Sequence, residues 1–248
     1  MMFWWLLKRK KWLEKHVIVI LVCISEYKDT SMNLRGPGND LEDIEKLFRN
    51  QYGIKNILVL RDQKATKENI LHTLENQGEN YLIFFYSGHG ARVFRSGSQG
   101  TQHLECLVTH DHLWDNPLWD FELKERFLEY EQAYGIFDCC HAAGMSRDGA
   151  IIRAIETPLD ISQNIELKFK KKILNTIEIA ACSSTEVAFE RLLENKYRGV
   201  LSYHFRKILE KQPEILLPVF EKRLKQQIEG QTPQIKPLRD CIFLENLI

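Results

Sequence analysis

The chain has 248 residues, 44% of them hydrophobic and 27% charged, with 34 Lys and Arg against 34 Asp and Glu. That apolar fraction supports a substantial core and excludes a disordered regulator, while the balanced charge gives no field favouring nucleic acid or a membrane. Six cysteines in a chain of this length, with no secretory pattern in front of them, do not read as a disulfide framework, so a reducing, cytoplasmic setting is expected.

In chain order, Met1-Met2-Phe3-Trp4-Trp5-Leu6-Leu7 followed by Lys8-Arg9-Lys10-Lys11 reverses the charge-then-apolar order of a signal peptide. Its apolar part falls short of the roughly 20 residues that span a bilayer, so no transmembrane segment is expected. It reads as a terminal segment packed on the domain or a partner, with an interfacial anchor as the alternative. Strands are expected near 17–24, 55–60, 81–86, 134–138, 176–181 and 241–245, and helices at 39–52, 66–77, 119–132, 200–211 and 214–229. The segment 91–118 is long, and Leu104 to Thr109 suggests a hairpin arm. The alternation predicts one α/β domain with a largely parallel sheet and helices on both faces. From Gly144 to Lys172 no period is visible, and the stretch ends in Lys168-Phe169-Lys170-Lys171-Lys172.

Two of the expected strands end on chemistry. Tyr81-Leu82-Ile83-Phe84-Phe85-Tyr86 runs into Ser87-Gly88-His89-Gly90, and Tyr134-Gly135-Ile136-Phe137-Asp138 runs into Cys139-Cys140-His141. Sites in open parallel sheets lie beyond the carboxyl ends of the strands, so neighbouring strands would set His89 beside Cys140. An imidazole that takes the proton of a thiol of ordinary pKa near ~8.5 multiplies the reactive thiolate. The N–H groups of Gly90 and Cys140 would then serve as an oxyanion hole. Cys139, one residue earlier, should face the opposite side of the strand.

The motifs Tyr86-Ser87-Gly88-His89-Gly90 and Asp138-Cys139-Cys140-His141 resemble those of caspase-like cysteine peptidases, most closely the metacaspase and prokaryotic caspase-homologue branch. His89 precedes Cys140 by 51 positions, against about 50 in caspases. Weaker likenesses lie at Val17 to Ile24 with Tyr27, at Leu34 to Asp40, at Ala65 to Ile70 and at Ile177 to Cys182 with Ala188-Phe189-Glu190 behind. The resemblance implies a three-layer sandwich around a mostly parallel six-stranded sheet. It divides the chain into a larger part (1–143) carrying the dyad, a linker (144–172) and a smaller part (173–248). It also implies a cysteine endopeptidase with Cys140 as nucleophile, His89 as general acid and base, and Asp138, Ser87 and Asp40 holding a substrate Arg or, less well, Lys. Arg147, Arg153 and Lys168 to Lys172 become candidate self-cleavage sites. The Gln-Ala-Cys motif of caspases proper is missing, and His141-Ala142-Ala143-Gly144 carries one residue more than the usual His-Ser-Gly.

No cofactor is expected for the chemistry. Calcium as an activator is implied only by the resemblance; Glu105, Asp111, Asp115, Asp120 and Asp148 lie where ligands would be sought, but they read as solvated acids, since calcium takes six to eight oxygens. His110 and His112 flank Asp111, a weak pattern for zinc. The expected partner is a protein or peptide with a basic residue before the cut. The alternatives are an effector domain inert until a regulatory protein binds, or a silent scaffold.

Overall fold

Val17–Cys23 is an unbroken apolar run that forms strand β1 and is buried along its whole length. Val17, Val19, Leu21 and Cys23 enter one apolar cluster; Ile18, Ile20 and Val22 enter a second on the other face. A strand covered on both faces reads as continuous rather than alternating hydrophobicity, which is why the run looks as it does. The computed structural model describes residues 11–75, 78, 80–97, 100–140, 151–155, 176–183, 185–239, 241 and 243–244. In it, β1 pairs in parallel with β2 (Ile57–Arg61) and β3 (Tyr81–Ser87). β3 pairs in parallel with β7 (Gln132–Asp138), and β7 with β9 (Thr176–Ala180). An antiparallel edge strand, β12 (Gln234–Lys236), completes a six-stranded sheet of order β12-β9-β7-β3-β1-β2.

Helices cover both faces. On the first lie α1 (Pro37–Lys46), α4 (Val200–Lys211) and α5 (Leu217–Gln227), which bury Leu41, Ile44, Phe205, Leu209 and Phe220. On the second lie α2 (Lys67–Thr73) and α3 (Asp120–Phe127), which bury Ile70, Leu123 and Phe127. Their starts follow local rules. Pro37 occupies the first turn of α1, where its missing N–H costs nothing. The Thr66 side chain accepts the Asn69 N–H at the head of α2, and Glu122 reaches back to the Trp119 N–H at the head of α3.

Two small antiparallel sheets flank the carboxyl ends of the central strands. One is β4 (Gly90–Gly97), β5 (Gly100–Leu107) and β6 (Leu118–Trp119), so the expected hairpin arm is longer than 104–109 and starts at Gly90. The other is β8 (Ile151–Ile152), β10 (Phe189–Leu193) and β11 (Lys196–Gly199). Glu194 and Asn195, at φ 49° and 62°, make the two-residue left-handed turn between β10 and β11.

The three-layer α/β sandwich with a mostly parallel six-stranded sheet is as expected, with corrections in detail. The sixth strand is β12, not 241–245; Cys241, Phe243 and Leu244 are buried apolar residues in turns, and a short apolar run cannot by itself distinguish the two. The helix expected at 119–132 stops at Phe127, since β7 starts at Gln132. Of the aperiodic stretch, 151–155 is ordered and partly in β8, while 144–150 and 156–172 lie outside the described residues, as do 1–10. Among the described residues no helix is long and apolar enough to cross a membrane.

Candidate active site

The register of the two central strands pairs Ser87 with Asp138. His89 and Cys140 therefore each follow two residues beyond that paired position, past the carboxyl ends of β3 and β7. The adjacent thiols separate as the strand alternation requires. Cys140 enters the first apolar cluster and Cys139 the second, where burial pushes the Cys139 thiol well above its ordinary pKa. Cys140 is fully buried, its Sγ 4.0 Å from the Ala188 carbonyl.

His89 is held at both ends. Its backbone N–H donates to the Tyr27 hydroxyl at 2.8 Å, and its ring Nε2 lies 2.8 Å from the Met32 carbonyl. A carbonyl only accepts, so Nε2 carries the hydrogen and Nδ1 of the neutral ring keeps its lone pair. Nδ1 is buried and has no hydrogen-bond partner among the described residues. Burial, aided by the nearby Arg153 guanidinium, holds the imidazole down to about 4. The ring is thus neutral at physiological pH, with the Nδ1 lone pair as its proton-accepting position. No orienting carboxylate is needed, because a backbone carbonyl fixes the tautomer. Sequence reasoning missed Met32, since a main-chain group leaves no side-chain signature.

The two amides expected to hold an oxyanion converge on one atom. The Gly90 N–H and the Cys140 N–H donate to the Arg153 carbonyl oxygen at 3.0 and 3.3 Å. The Arg153 side chain runs into a fully buried acidic chamber beside them. Its Nη2 donates to Asp40 Oδ2 at 2.7 Å and lies 3.4 Å from Glu190 Oε2. Its Nη1 donates to Ser87 Oγ at 2.7 Å and to the Asp138 carbonyl at 3.0 Å, and lies 3.5 Å from Asp138 Oδ1. Ser87 in turn donates to Asp40 Oδ2 at 2.8 Å. All three residues expected to form a basic-residue pocket, Asp40, Ser87 and Asp138, are brought together around one guanidinium.

Each acid has its own anchor. Asp40 accepts from the Gly199 N–H at 2.9 Å, and Asp138 Oδ2 accepts from the N–H and hydroxyl of Ser202 at 2.8 and 2.5 Å. Glu190, which the sequence reading did not place in the pocket, accepts from the N–H groups of Arg35 and Gly36 at 2.8 and 2.9 Å. The walls admit no extra atoms. A Cβ on Gly36 would lie 2.6 Å from Arg153 Nη2, and one on Gly199 would lie 2.5 Å from Arg153 Nη1. Although burial disfavours its charge, Asp138, Asp40 and Glu190 hold Arg153 above its ordinary pKa. Burial raises Asp40 to about 6, with the Arg153 guanidinium opposing and Asp138 reinforcing the rise.

The acids considered for calcium do not converge. Glu105 pairs with Arg92 at 2.9 Å, Asp120 with Lys124 at 3.0 Å, and Asp111 accepts the Lys67 N–H at 3.2 Å; Asp148 lies outside the described residues. Among the described residues no group of three or more His, Cys, Asp or Glu is placed to hold a metal ion, so the described members of that set form no calcium cage. His110 Nδ1 is 2.7 Å from the Glu26 carbonyl, while His112 packs edge-on against Trp114.

A family model for the caspase domain matches residues 16–241. The chain belongs to this family. Caspase-domain relatives include Metacaspase-8 of Arabidopsis thaliana, 30% identical over 140 residues, covering 49% of this chain and 36% of the relative. Inactive metacaspase-4 of Trypanosoma brucei brucei is 25% identical over 137 residues, 48% of this chain and 39% of its own length. Metacaspase-1 of Eremothecium gossypii is 26% identical over 135 residues, 47% and 30% of the two chains. The chain thus spans less than two-fifths of the length of these relatives. The fold is shared with the crystal structure of a Geobacter sulfurreducens protein, at TM-score 0.67 and 16% identity over 89% of this chain and 92% of that one.

Proposed function

We propose that the chain is a cysteine endopeptidase that cleaves after Arg and, less well, after Lys. The observation that carries this reading is the seating of Arg153: a guanidinium among Asp40, Asp138 and Glu190, with its own carbonyl on the Gly90 and Cys140 amides. A peptide placed this way presents its carbonyl carbon to a nucleophile while two donors hold the oxygen that will carry negative charge. In this reading His89 Nδ1 takes the Cys140 proton, the thiolate attacks, and the imidazolium returns the proton to the leaving amine. Water then hydrolyses the thioester, with His89 as base. Planar bidentate donation to carboxylates favours Arg, and a Lys ammonium reaches fewer partners.

The test is a positional scan of fluorogenic peptides, with and without calcium, on wild type and Cys140→Ala. Hydrolysis after Arg exceeding Lys, absent in Cys140→Ala, is the expected result; preference for Asp, or activity that survives in Cys140→Ala, contradicts it. A second reading is favoured by the occupied pocket: a caspase-domain effector inert until a regulatory protein withdraws the Arg153 segment. In the same scan it predicts silence until that partner is added.

A further inference from the structure

Cys140 has a second thiol beside it, supplied by the next strand. β7 and β9 are parallel neighbours in register up to Phe137 and Ala180, and the Ala181 N–H still donates to the Phe137 carbonyl at 3.0 Å past the strand ends. Cys140 and Cys182 follow directly. One stretch of chain lies against both sulfurs: Cys140 Sγ is 4.0 Å from the Ala188 carbonyl and Cys182 Sγ 3.5 Å from the Glu186 carbonyl. Cys182 packs on the apolar cluster that contains Cys140, and the two thiols are in hydrogen-bond contact. Neighbouring strands run about 4.8 Å apart, within the roughly 4.4–6.8 Å between Cα atoms that a disulfide spans. The two thiols differ in access. Cys140 is buried and Cys182 only partly so; with Cys139, Ser183, Phe137 and Leu107, Cys182 lines a cavity of about 150 Å³ on the second face of the sheet. A water molecule takes up roughly 30 Å³, so a molecule as small as a peroxide fits there, on the far side of Cys182 from the nucleophile.

Resting on the reading of Cys140 as nucleophile and His89 as its base, we infer that Cys140 and Cys182 form an oxidative modification site, which hydrogen peroxide closes into a disulfide that stops peptide hydrolysis reversibly. In the first step the Cys140 thiolate, its proton on His89, attacks one peroxide oxygen. The O–O bond breaks, and the departing hydroxide takes the proton from His89 and leaves as water. Cys140 is then a sulfenic acid. Cys182 Sγ attacks that sulfur, the S–O bond breaks, and the second hydroxide leaves as water with the Cys182 proton. The two thiols together lose two electrons and the peroxide gains them; a dithiol reductant returns both thiols. The order of events follows from chemistry, since a thiolate and not a thiol attacks peroxide. The contact with Cys140, and then burial, push the Cys182 thiol up, so Cys182 resolves rather than initiates. Without a resolving thiol, a sulfenic acid runs on to the irreversible sulfinic and sulfonic acids, so Cys182 also protects the nucleophile.

The experiment treats the purified full chain with hydrogen peroxide, blocks the remaining thiols with iodoacetamide and maps the peptides by mass spectrometry without reduction. Wild type, Cys139→Ala, Cys140→Ala and Cys182→Ser are compared, and hydrolysis of an Arg peptide is followed before peroxide, after it, and after dithiothreitol. A link between Cys140 and Cys182 is expected in wild type and Cys139→Ala and in neither of the other two. Dithiothreitol should restore most of the hydrolysis in wild type and at least about tenfold less in Cys182→Ser, whose Cys140 should be found as sulfinic or sulfonic acid. The map of the unaltered protein needs neither a substitution nor turnover, so it decides the pairing even if Cys182→Ser folds poorly. No link, a link from Cys182 to Cys139 instead, or equal recovery in wild type and Cys182→Ser overturns the inference and leaves the peptidase reading standing. No Cys140-dependent hydrolysis before peroxide, with or without calcium, overturns that reading and with it the claim that the disulfide stops a peptidase.

Discussion

Cys139 and Cys140 are neighbours in sequence, yet each enters a different apolar cluster, and that geometry separates their roles. Cys140→Ala should abolish peptide hydrolysis and labelling by a thiol-directed peptide warhead; Cys139→Ala should keep most of both and lose on the order of 1 kcal/mol of stability from a small cavity. Intact-mass labelling of the two variants distinguishes them, and loss of labelling in Cys139→Ala alone would reverse the assignment. Tyr27 is a second single-residue handle. Its hydroxyl accepts the buried His89 N–H, so Tyr27→Phe strands a donor, at a cost of roughly 1–3 kcal/mol. A lower melting temperature with a larger fall in kcat than in KM is expected, because the imidazole loses its footing while the acidic chamber is untouched. His89 and Cys140 were legible in the sequence because strand ends in a parallel sheet announce themselves by pattern. Arg153 was legible only as a cut site in a loop, since nothing local marks an arginine as a fully buried cation.

At the scale of elements, the pocket is assembled from the end of β7, the start of α1, the tip of β3 and the β10–β11 hairpin. The first three could be anticipated from the Ser87–Asp138 register and the turn before α1. The hairpin could not, because strands of five and four residues fall near the lower limit at which periodicity is readable, and Glu190, named only as part of a weak likeness, was not placed in the pocket with it. The run at 241–245 failed in the opposite sense, Cys241, Phe243 and Leu244 serving the core without joining the sheet. Glu190 ties this hairpin to the Arg35–Gly36 turn, its two oxygens each accepting one of the two N–H groups, so Glu190→Gln, which removes the charge and leaves one acceptor for two amides, should weaken Arg-peptide binding by at least about tenfold. Gly199→Ala, whose Cβ meets Asp138 and Arg153, should do more, excluding arginine from the chamber. Titration with an Arg aldehyde inhibitor measures both; unchanged affinity in Gly199→Ala would mean the chamber is wider than it is drawn.

For the whole molecule, acid acts on two buried groups in opposite directions. Asp40 is raised from 3.8 to about 6, so the stability its protonated form contributes is present at low pH and is lost as pH rises through 6. His89 is lowered from 6.5 to about 4, so its contribution is complete above 6.5 and is lost as pH falls toward 4. In the Cys140→Ala background the two slopes oppose each other between pH 4 and 6. Adding Asp40→Asn should leave the His89 slope alone, so that melting temperature falls more steeply with acid across that window. Activity carries a related signature. Burial raises Asp40 to about 6 and an arginine seats best against the ionised carboxylate, so kcat/KM for Arg peptides should fall as pH drops through that region.

The strand that brings Arg153 to the Gly90 and Cys140 amides belongs to the same polypeptide as those amides, so a cut after Arg153 would be a reaction within one molecule. A tethered reactant meets its site at an effective concentration set by chain geometry rather than by how much protein is present. Were the chain to cut itself there, the half-time for loss of the intact chain should stay constant across an about hundredfold dilution. Small amounts of active enzyme added to intact chains should leave that half-time unchanged, because residues 151–155 already fill the groove through which another molecule would have to reach the bond.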